Sequence, residues 1–402
     1  MKAEERRPLA DLVVKLQRGQ SYKSAQIGAP GPFLLGLGTI HRHGGFRDEN
    51  LRTYGGDTPD NILLAPGDLY LSLKDMTHAA ELLGAVSRVP KGIYGRLTQD
   101  TIKLEADEGR IDQNYLYWVL RDPRYRDYCR MRGTGTTNLD LSRSDFLAYD
   151  VYLPPKGEQR AIAEVLGALD DKIAANTRLV DTALQLAGAH FIRVAFEAPL
   201  SDMTFADVAD IGGGGTPKTK VEEYWGDEID WSTPTDVTAL HGPYLSSTSR
   251  RITQAGLDNC SSALYPTGSI LMTSRATIGA FAVAQSPVAV NQGFIVVNSK
   301  GDVPQWWLFH EMQRRVPEFV SHANGATFLE LSRGKFKNFH VHLAAAEAMQ
   351  RFDETAGALH NRAAAAETES ASLAATRDAL LPLLMSGKVT VKDAEAVVEE
   401  AV

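Results

Sequence analysis

Apolar and small side chains recur in alternating steps of four and three residues within residues 153–190. This spacing is typical of the narrow seam of a coiled coil, whereas an ordinary surface helix carries a broader apolar stripe. Because the only prolines of the stretch stand at its start, it predicts one helix of about 32 residues, roughly 48 Å long. So long a helix needs a second long helix to cover its seam. The predicted seam positions are Ile162, Leu166, Leu169, Ile173, Asn176, Val180, Ala183 and Ala187.

Much of this block occurs a second time, 190 positions later. Leu-Ser-Arg at 141–143 falls on the same tripeptide at 331–333, and Gly-Ala-Leu at 167–169 falls on Gly-Ala-Leu at 357–359. An internal repeat of this length predicts two copies of one structural plan. The second long helix is expected within residues 345–388, with Pro382 kinking its last turn, Gly387 as its C-terminal cap, and a frayed acidic tail at 389–402. Its predicted seam positions are Leu359, Ala363, Ala366, Ser370, Leu373, Arg377 and Leu380.

The segments before the two predicted helices share an order of elements. Short apolar runs bounded by turn residues predict strands, for example at 67–74 and 267–275, and aromatic segments at 114–130 and 305–313 predict helices. The expected fold class is α+β, with two mixed, mainly β domains separated by two long antiparallel helices in a pseudo-twofold internal repeat. The predicted divisions are a first domain at 1–152, a central helix at 153–197, a second domain at 198–343, and a distal helix and tail at 344–402.

Composition places the chain among soluble globular proteins, with 44% hydrophobic and 23% charged residues. No apolar run approaches the ~18 residues of a membrane span, and the charged N-terminal stretch is unlike a signal peptide. We therefore expect no membrane association and a cytoplasmic location. Cys129 and Cys260 lie too far apart in sequence to suggest a metal site or a disulfide framework. The net charge of −8 argues against a uniformly basic nucleic-acid binder but allows a local basic face.

Motifs for catalysis are nearly absent from the sequence. The glycine-rich segment 212–219 lacks the Gly-Lys pair of a phosphate-binding loop, and no βαβ pattern follows Gly-Leu-Gly at 36–38, which favours a strand-end turn there. The Asp/Asn-Pro-Pro-aromatic tetrapeptide that amino-methylating enzymes use to hold a target amine does not occur. His41 and His43 have no third ligand nearby in the sequence, so solvated loop histidines are favoured over a metal site. We expect no catalytic residue, no metal and no cofactor in this chain.

The remaining polar features suit nucleic-acid binding, which uses basic side chains on loops for phosphates and a few residues that reach base edges. Lys74 and Arg275 fall at the same repeat position, just after a strand, which favours a shared role. Either residue alone is equally consistent with a solvated surface charge, and Arg143 and Arg333 are equally consistent with structural salt bridges. The candidate DNA-binding residues are Lys23, Arg42, Arg47 and Lys74 in the first domain and Thr216, Lys218, Lys220, Arg251 and Arg275 in the second.

Three long segments resemble the specificity (S) subunits of Type I restriction-modification systems. The segment LPPKGEQRAIAEVLGALDDKIAANTRL (153–179) is similar to the central conserved region of that family, FADVADIGGGGTPKTKVEEYWGDEIDWSTPTDV (205–237) to the start of a target-recognition domain, and ATRDALLPLLMSGKV (375–389) to the end of the distal conserved region. Two departures stand out. The first domain has RGQSYKS at 18–24 in place of a GGTP-type opening, and Ala344-Ala345 replaces the usual Pro-Pro before the distal helix.

The resemblance implies a non-catalytic subunit in which each domain reads one half of a bipartite site in double-stranded DNA. The helices would set the spacer between the half-sites and dock two modification (methyltransferase) subunits, which carry S-adenosylmethionine and methylate a flipped adenine. Restriction (translocase and nuclease) subunits would join that complex. Two other hypotheses stay open: a self-sufficient DNA methyltransferase, which needs a cofactor site, and a coiled-coil scaffold protein without a DNA role.

Overall fold

The computed structural model describes residues 6–49, 51–196, 198–325 and 329–401. The chain forms two compact units. The first unit is built from residues 1–172 and 372–402, and the second unit from residues 173–371. Each unit combines one mainly β domain with a stretch of each long helix, so the fold class is the expected one.

Within the described residues, the domain of the first unit consists of short strands, three short α-helices and several 3₁₀ turns. Its strands, as far as the structure describes them, are β1 (Arg6–Pro8), β2 (Val13–Arg18), β3 (Phe33–Leu35), β4 (Leu63–Leu64), β5 (Leu69–Ser72), β6 (Lys74–Asp75), β7 (Val86–Arg88), β8 (Gly95–Leu97), β9 (Thr101–Ala106), β10 (Leu139–Asp140) and β11 (Asp150–Tyr152). Its helices are α1 (Gln113–Val119), α2 (Pro123–Arg132) and α3 (Arg143–Leu147).

Two small sheets make up most of this domain. Strands β2, β9, β5 and β7 pair in that order, and each pair is antiparallel. Strands β3, β8 and β4 form the second sheet, in which β3 and β8 are parallel. Strand β5 is buried at every residue, as expected for an inner strand covered on both faces. Apolar residues of both sheets, including Leu35, Tyr70 and Leu97, share one buried cluster.

The aromatic segment 114–130 forms two helices rather than the one that the sequence predicts. Helix α1 ends at Val119, and α2 begins at Pro123 with Asp122 as its N-cap. Proline has no backbone N–H and fixes its own φ, which suits the first turn of a new helix and not the interior of an old one. The Asp122 carboxylate accepts a hydrogen bond from the Arg124 backbone N–H at 2.8 Å, which satisfies one of the free donors at the helix start.

Helix α4 (Lys156–Ala195) follows the first domain and runs without interruption for 40 residues. At about 1.5 Å per residue its length is roughly 60 Å, more than the 32-residue estimate from sequence gives. It begins just after the two prolines, where the Gln159 side chain accepts a hydrogen bond from the Asp112 backbone N–H at 2.8 Å. Through this contact, the start of α4 is tied to the turn that precedes α1.

The domain of the second unit repeats this order. Its strands, within the described residues, are β12 (Leu200–Thr204), β13 (Ala209–Gly212), β14 (Trp225–Ser232), β15 (Tyr244–Leu245), β16 (Arg251–Ile252), β17 (Ile270–Thr273), β18 (Phe281–Ala284), β19 (Val288–Val290), β20 (Phe294–Ser299) and β21 (His340–His342). Its helices are α5 (Phe205–Val208), α6 (Pro234–Thr238), α7 (Gln254–Asp258), α8 (Gln305–Arg314), α9 (Val316–Ser321) and α10 (Arg333–Lys337).

The main sheet of the second domain has the strand order of the first, whereas the third strand of the small sheet pairs on the other side of the parallel pair. The order β13-β20-β17-β18 corresponds to β2-β9-β5-β7, with β15 added at the edge, and parallel β14 and β19 correspond to β3 and β8. Side-chain contacts repeat as well. The Gln113 amide donates to the Gly67 carbonyl and the Gln305 amide to the Gly268 carbonyl, each at 2.8 Å. The two domains therefore share a backbone scaffold although few of their residues are identical.

Helix α11 (Ala346–Leu384) follows the second domain and contains Pro382 near its end. Gly387 has φ +67°, and the Lys388 backbone N–H donates to the Leu383 carbonyl at 3.0 Å, so this glycine does cap the helix C-terminus. The prediction of a frayed tail is wrong, because α12 (Val391–Ala401) forms there. Its start is fixed by Thr390, whose hydroxyl donates to the Asp393 carboxylate at 2.6 Å.

In the first unit, α4 and α11 are joined by an ionic contact. The Asp170 carboxylate lies 2.5 Å from the Arg377 guanidinium of α11 and 2.5 Å from that of Arg121, in the loop between α1 and α2. Seam residues Ile162, Leu166 and Leu169 are buried. Leu373 and Leu380 of α11 are buried too, and Arg377 lies between them at the intervening seam position.

In the second unit, the same two helices run antiparallel and pack through small residues. Val180 and Ala183 of α4 share a buried cluster with Ala363 and Ala366 of α11. The buried Asn176 side chain donates to the Glu369 carboxylate at 2.8 Å. Among the other predicted seam residues of this unit, Ala187 is buried, whereas Ile173, Leu359 and Ser370 are half-buried.

A buried chain of polar side chains fixes α11 on the second domain. His360 of α11 lies 2.8 Å from the Tyr244 hydroxyl through Nδ1 and 3.0 Å from His310 Nε2 of α8 through its own Nε2. The His360 ring also stacks on Trp306 with a centroid distance of 3.7 Å. Burial lowers the pKa of His310 to about 4 and that of His360 to about 3, so both rings are neutral near pH 7.

Candidate nucleic-acid interface

Each domain contains a polar cleft at the same place in its main sheet. In the first, Ser72 of β5 pairs with Thr101 of β9, and in the second, Thr273 of β17 pairs with Phe294 of β20. This register makes Lys74 equivalent to Arg275, because each lies two residues after the paired position. It also makes Gln99 equivalent to Gln292, because each lies two residues before the partner. We call the two sites cleft 1, in the first domain, and cleft 2, in the second.

The Leu-Ser-Arg tripeptides close both clefts in the same way. The Leu141 backbone N–H donates to the Leu73 carbonyl at 2.8 Å, and the Leu331 backbone N–H donates to the Ser274 carbonyl at 2.9 Å. The serine after each leucine caps a short helix through its hydroxyl, which accepts a backbone hydrogen bond. The repeated tripeptide is thus a joint that holds a helix start against the main sheet.

Cleft 1 has a volume of about 360 Å³ and contains three basic and two acidic side chains. Lys74 Nζ lies 3.6 Å from the Asp100 carboxylate and 3.8 Å from that of Asp140. The Arg143 guanidinium donates to the Leu16 carbonyl at 2.6 Å, so this side chain forms a backbone contact rather than the salt bridge considered from sequence. Arg18, at the end of β2, donates to the Gln99 carbonyl at 2.9 Å.

Cleft 2 is larger, about 580 Å³, and more basic. The Arg275 guanidinium lies 2.9 Å from the Glu330 carboxylate. Arg333 packs beside Gly213 of the glycine-rich loop, and Lys337 also lines the cleft. Cleft 2 thus contains three basic side chains and one carboxylate, whereas cleft 1 contains three basic side chains and two carboxylates. Cleft 2 is therefore the better site for an anion.

The glycine-rich loop forms one wall of cleft 2. A Cβ at Gly214 would come within 1.8 Å of the Val290 carbonyl oxygen, so only glycine fits against the end of β19. The Trp231 indole N–H of β14 donates to the Gly215 carbonyl at 3.1 Å and fixes the loop to the small sheet. At the tip, the exposed Thr216 hydroxyl donates to the Gln292 side-chain oxygen at 2.7 Å.

The first domain has a similarly close contact in the corresponding segment. A Cβ at Gly19 would lie 2.1 Å from the Thr98 carbonyl oxygen, at the end of β8, which corresponds to β19. Gly19 belongs to the RGQSYKS segment that the sequence analysis places opposite the glycine-rich loop. The position of this glycine supports that alignment.

The structure places the other predicted cations outside the clefts or in ion pairs. Arg251 lies 3.3 Å from the Asp230 carboxylate, Arg42 lies 2.9 Å from Glu81, and Arg47 lies 2.5 Å from Glu49. The Glu49 carboxylate raises the pKa of Arg47. Among the nine candidate residues, Lys74, Thr216 and Arg275 are therefore at a cleft, and Arg42, Arg47 and Arg251 are in ion pairs elsewhere.

Three predicted lysines are exposed on loops. Lys218 and Lys220 follow shortly after Thr216, and Lys23 lies in the corresponding segment of the first domain. The Lys23 backbone N–H is held by the Tyr54 hydroxyl at 3.3 Å, whereas its side chain is exposed. Within the described residues, no carboxylate lies within ion-pair distance of these three ammonium groups, so they keep their charge for an external anion.

Sequence reasoning missed Gln99, Gln292 and Lys337. The Leu-Ser-Arg repeat has a spacing of 190 residues, whereas the two glutamines are separated by 193, so one ungapped alignment does not pair them. The one sequence feature that the two glutamines share is their position two residues after an apolar strand, in Leu97–Gln99 and Val290–Gln292. Their equivalence became visible only from strand register.

The described residues contain no group of three or more histidine, cysteine, aspartate or glutamate side chains arranged to hold a metal ion. Within that same part of the chain, no helix combines the length and apolar character that crossing a membrane requires.

Comparison with known proteins gives a family for the second domain. Residues 200–358 match the family model of the Type I restriction modification DNA specificity domain. The MjaIX specificity subunit of a Type I restriction enzyme from Methanocaldococcus jannaschii is 35% identical over 147 residues, which are 36% of this chain and 34% of that protein. The matched region therefore spans about a third of the relative's length.

A solved structure extends the likeness of fold to the whole chain. The crystal structure of the S subunit of a Type I restriction-modification system from M. genitalium superposes with a TM-score of 0.63 at 15% sequence identity. The match covers 96% of this chain and 97% of that one. The chain therefore has the fold of that S subunit, and its residues 200–358 match the Type I restriction modification DNA specificity domain.

Proposed function

We propose that this chain is the DNA-recognition subunit of a Type I restriction-modification complex and that each mainly β domain reads one half of a bipartite site. The observation that carries the proposal is the doubled cleft. Two sites with the same strand register, the same Leu-Ser-Arg joint and the same basic position occur in two domains of otherwise different sequence. A repeated scaffold with divergent loops suits two readers of different sequences.

The chemistry of the loops supports a division between phosphate contacts and base contacts. Lys218 and Lys220 project from an exposed loop next to cleft 2, and Lys23 occupies the related loop of the first domain. Lysines in such positions neutralise phosphates and fix the orientation of the protein on the duplex. Amide and hydroxyl groups at the cleft mouths are the groups that distinguish base edges.

The long helices fit the role of a spacer and a docking element. Under the proposal, recognition domains at 1–152 and 198–343 are linked by the central helix at 153–197 and by the distal helix and tail at 344–402. The partners would be two modification subunits, which supply the methyltransferase chemistry, and restriction subunits, which supply translocation and cleavage. The chain itself would act without a cofactor, and it would work in the cytoplasm, where the DNA is.

The test is a domain replacement in the full-length protein. Residues 1–152 are exchanged for the equivalent domain of another S subunit, and the methylated sites of the host chromosome are mapped by methylome sequencing. The proposal expects one half of the bipartite methylated site to change and the other half to stay. A change in both halves, or in neither, contradicts it.

The two alternative functions predict different results. A self-sufficient methyltransferase would transfer a labelled methyl group from S-adenosylmethionine to DNA when the purified chain is assayed alone. A scaffold without a DNA role would leave the chromosomal methylation pattern unchanged when its gene is deleted. The proposal expects no methyl transfer by the chain alone and loss of one bipartite motif on deletion.

The lysines offer a second, residue-level test. Lys218→Ala and Lys220→Ala should each weaken DNA binding and flatten the logarithmic salt dependence by roughly one unit of slope. Lys74→Ala and Arg275→Ala should flatten it less, because both side chains are already partly neutralised by carboxylates. Lys392→Ala, on α12, serves as the control and should leave affinity and slope unchanged.

A further inference from the structure

Gln99 and Gln292 are the neutral polar side chains that cleft 1 and cleft 2 have in common. Each lines its cleft, and each is exposed at the turn between a strand of the small sheet and a strand of the main sheet. In the first domain that turn joins β8 to β9, and in the second it joins β19 to β20. The residues next to the glutamines differ between the two domains, since Thr101 corresponds to Phe294 and Asp100 corresponds to Gly293. The glutamine is kept at a turn whose other residues have changed, which points to a shared role for its amide.

Both glutamines are surrounded by cations that could hold a nucleic-acid backbone. Gln99 lies in the cleft with Arg18, Lys74 and Arg143, and Gln292 lies in the cleft with Arg275, Arg333 and Lys337. Basic side chains on the rim fix the register of a duplex, whereas only groups that touch base edges report its sequence. A glutamine at such a place is suited to the second task.

The two amides are held to different degrees. The Thr216 hydroxyl donates to the Gln292 side-chain oxygen, which orients the amide and leaves a second lone pair on that oxygen. The NH₂ group of Gln292 makes no hydrogen bond within the described residues, and the amide of Gln99 makes none there either. Both side chains thus keep a donor and an acceptor for an external partner.

We propose that Gln99 and Gln292 are specificity-determining residues and that each reads one base in its own half-site, with adenine as the matching base. In the major groove adenine presents an N7 acceptor beside an N6 donor, and a carboxamide complements that pair in a bidentate contact. Thr216 is a positioning residue for Gln292. This inference rests on the proposed function, since it assumes that the two domains bind the two half-sites.

The experiment uses the full-length tagged chain purified with whatever subunits accompany it from its host. Binding sites are selected from a pool of randomised duplex DNA, and affinity is determined for every base at every position. Gln292→Ala should lower discrimination about 5- to 150-fold at one adenine position in one half-site, and Gln99→Ala should do the same in the other half. Gln350→Ala, at an exposed position on α11, is the matched control and should change no position.

Two further variants separate reading from a structural role. Gln292→Glu keeps the acceptor but loses the donor, so it should reduce discrimination at the same position and at no other. Thr216→Val should reduce it less, again at that position alone. A uniform loss of affinity with unchanged discrimination at every position in the uncharged variants Gln292→Ala and Thr216→Val would show that the amides support the loop or contact phosphate, and it would overturn the inference.

The failure of the inference is distinguishable from the failure of the proposed function. If the wild-type complex selects no bipartite sequence, the proposed function itself is wrong. If it selects one and both glutamine→alanine variants keep full discrimination at every position, only the role of the glutamines is wrong. Relaxation at a position that prefers a base other than adenine would overturn the base assignment.

Discussion

Replacement of Asp170 should weaken the first unit. Its carboxylate bridges Arg377 of α11 and Arg121 of the first domain, each at 2.5 Å. The Arg121 side chain is only 8% exposed and that of Arg377 15%, whereas Asp170 is 28% exposed. Asp170→Asn removes the charge that compensates two largely buried guanidinium groups without changing the size of the side chain.

The expected loss of unfolding free energy depends on the partners that Arg121 and Arg377 retain in the variant. Breaking a buried ion pair by neutralising one partner costs about 3–5 kcal/mol, because the other charge stays buried. Arg377 retains the Asp378 carboxylate at 2.7 Å, whereas Arg121 keeps, among the described residues, the Tyr117 hydroxyl at 3.2 Å and the rings of Tyr117 and Trp118. With one arginine still paired, we expect a loss near the lower limit, about 3 kcal/mol.

Native-state hydrogen exchange measures this loss with an internal reference. Peptides of the first unit should exchange faster in Asp170→Asn, whereas peptides from the domain of the second unit should be unchanged, since stability is a local property of cooperative units. Asp378→Asn is the matched control. Its carboxylate is 64% exposed and also pairs with Arg377, so its loss should cost less than about 1 kcal/mol.

Two results would refute this reasoning. The first is an equal effect of Asp170→Asn and Asp378→Asn, which would mean that the Arg121 pair contributes nothing beyond an exposed one. The second is a large effect of sodium chloride on the difference between the two variants, because a buried pair is screened much less than an exposed pair.

Three other predictions concern the second unit. Asn176→Leu should lower stability by about 1–2 kcal/mol, because the Glu369 carboxylate loses a buried donor, and a rise in the melting temperature would contradict this. The second unit should lose stability as the pH falls from 6.5 towards 4, because in that range the unfolded chain binds protons at His310 and His360 that the folded chain does not. The loss should be at most about 1.4 kcal/mol per pH unit for each histidine. In a His360→Gln variant, the free energy of unfolding should depend less steeply on pH. Gly214→Ala should displace the glycine-rich loop and lower the free energy of unfolding by about 1–3 kcal/mol, measured by urea unfolding. A variant with the stability and DNA affinity of the wild type would contradict this prediction.

For Asn176→Leu, the structure reverses the direction of the stability change that the heptad pattern alone predicts. From sequence alone, a polar residue in an apolar seam is a register device whose replacement by leucine should stabilise the helices or shift their alignment. The structure gives Asn176 a charged partner across the helix pair, Glu369, which the seam pattern does not reveal. The expected effect is therefore destabilising.

The nucleic-acid candidates show a similar limit. The repeat alignment correctly paired Lys74 with Arg275, because an ungapped strand and its flanking turn keep their spacing. It did not indicate that both cations face a carboxylate, Asp140 in one domain and Glu330 in the other, since these carboxylates come from segments distant in sequence from the cations. Nor did it find Gln99 and Gln292, whose equivalence depends on register between strands.

The sequence by itself determined the two long helices, the duplicated domain plan and the order of elements, because hydrophobic periodicity and repeat spacing are local properties of the chain. It also determined the cap at Gly387, whose φ preference acts within one turn. Only the tertiary structure decided which cations are paired, which amides share a cleft and which polar groups are buried between helices. Those features depend on strand register and helix packing, which bring together residues that no spacing in the sequence relates.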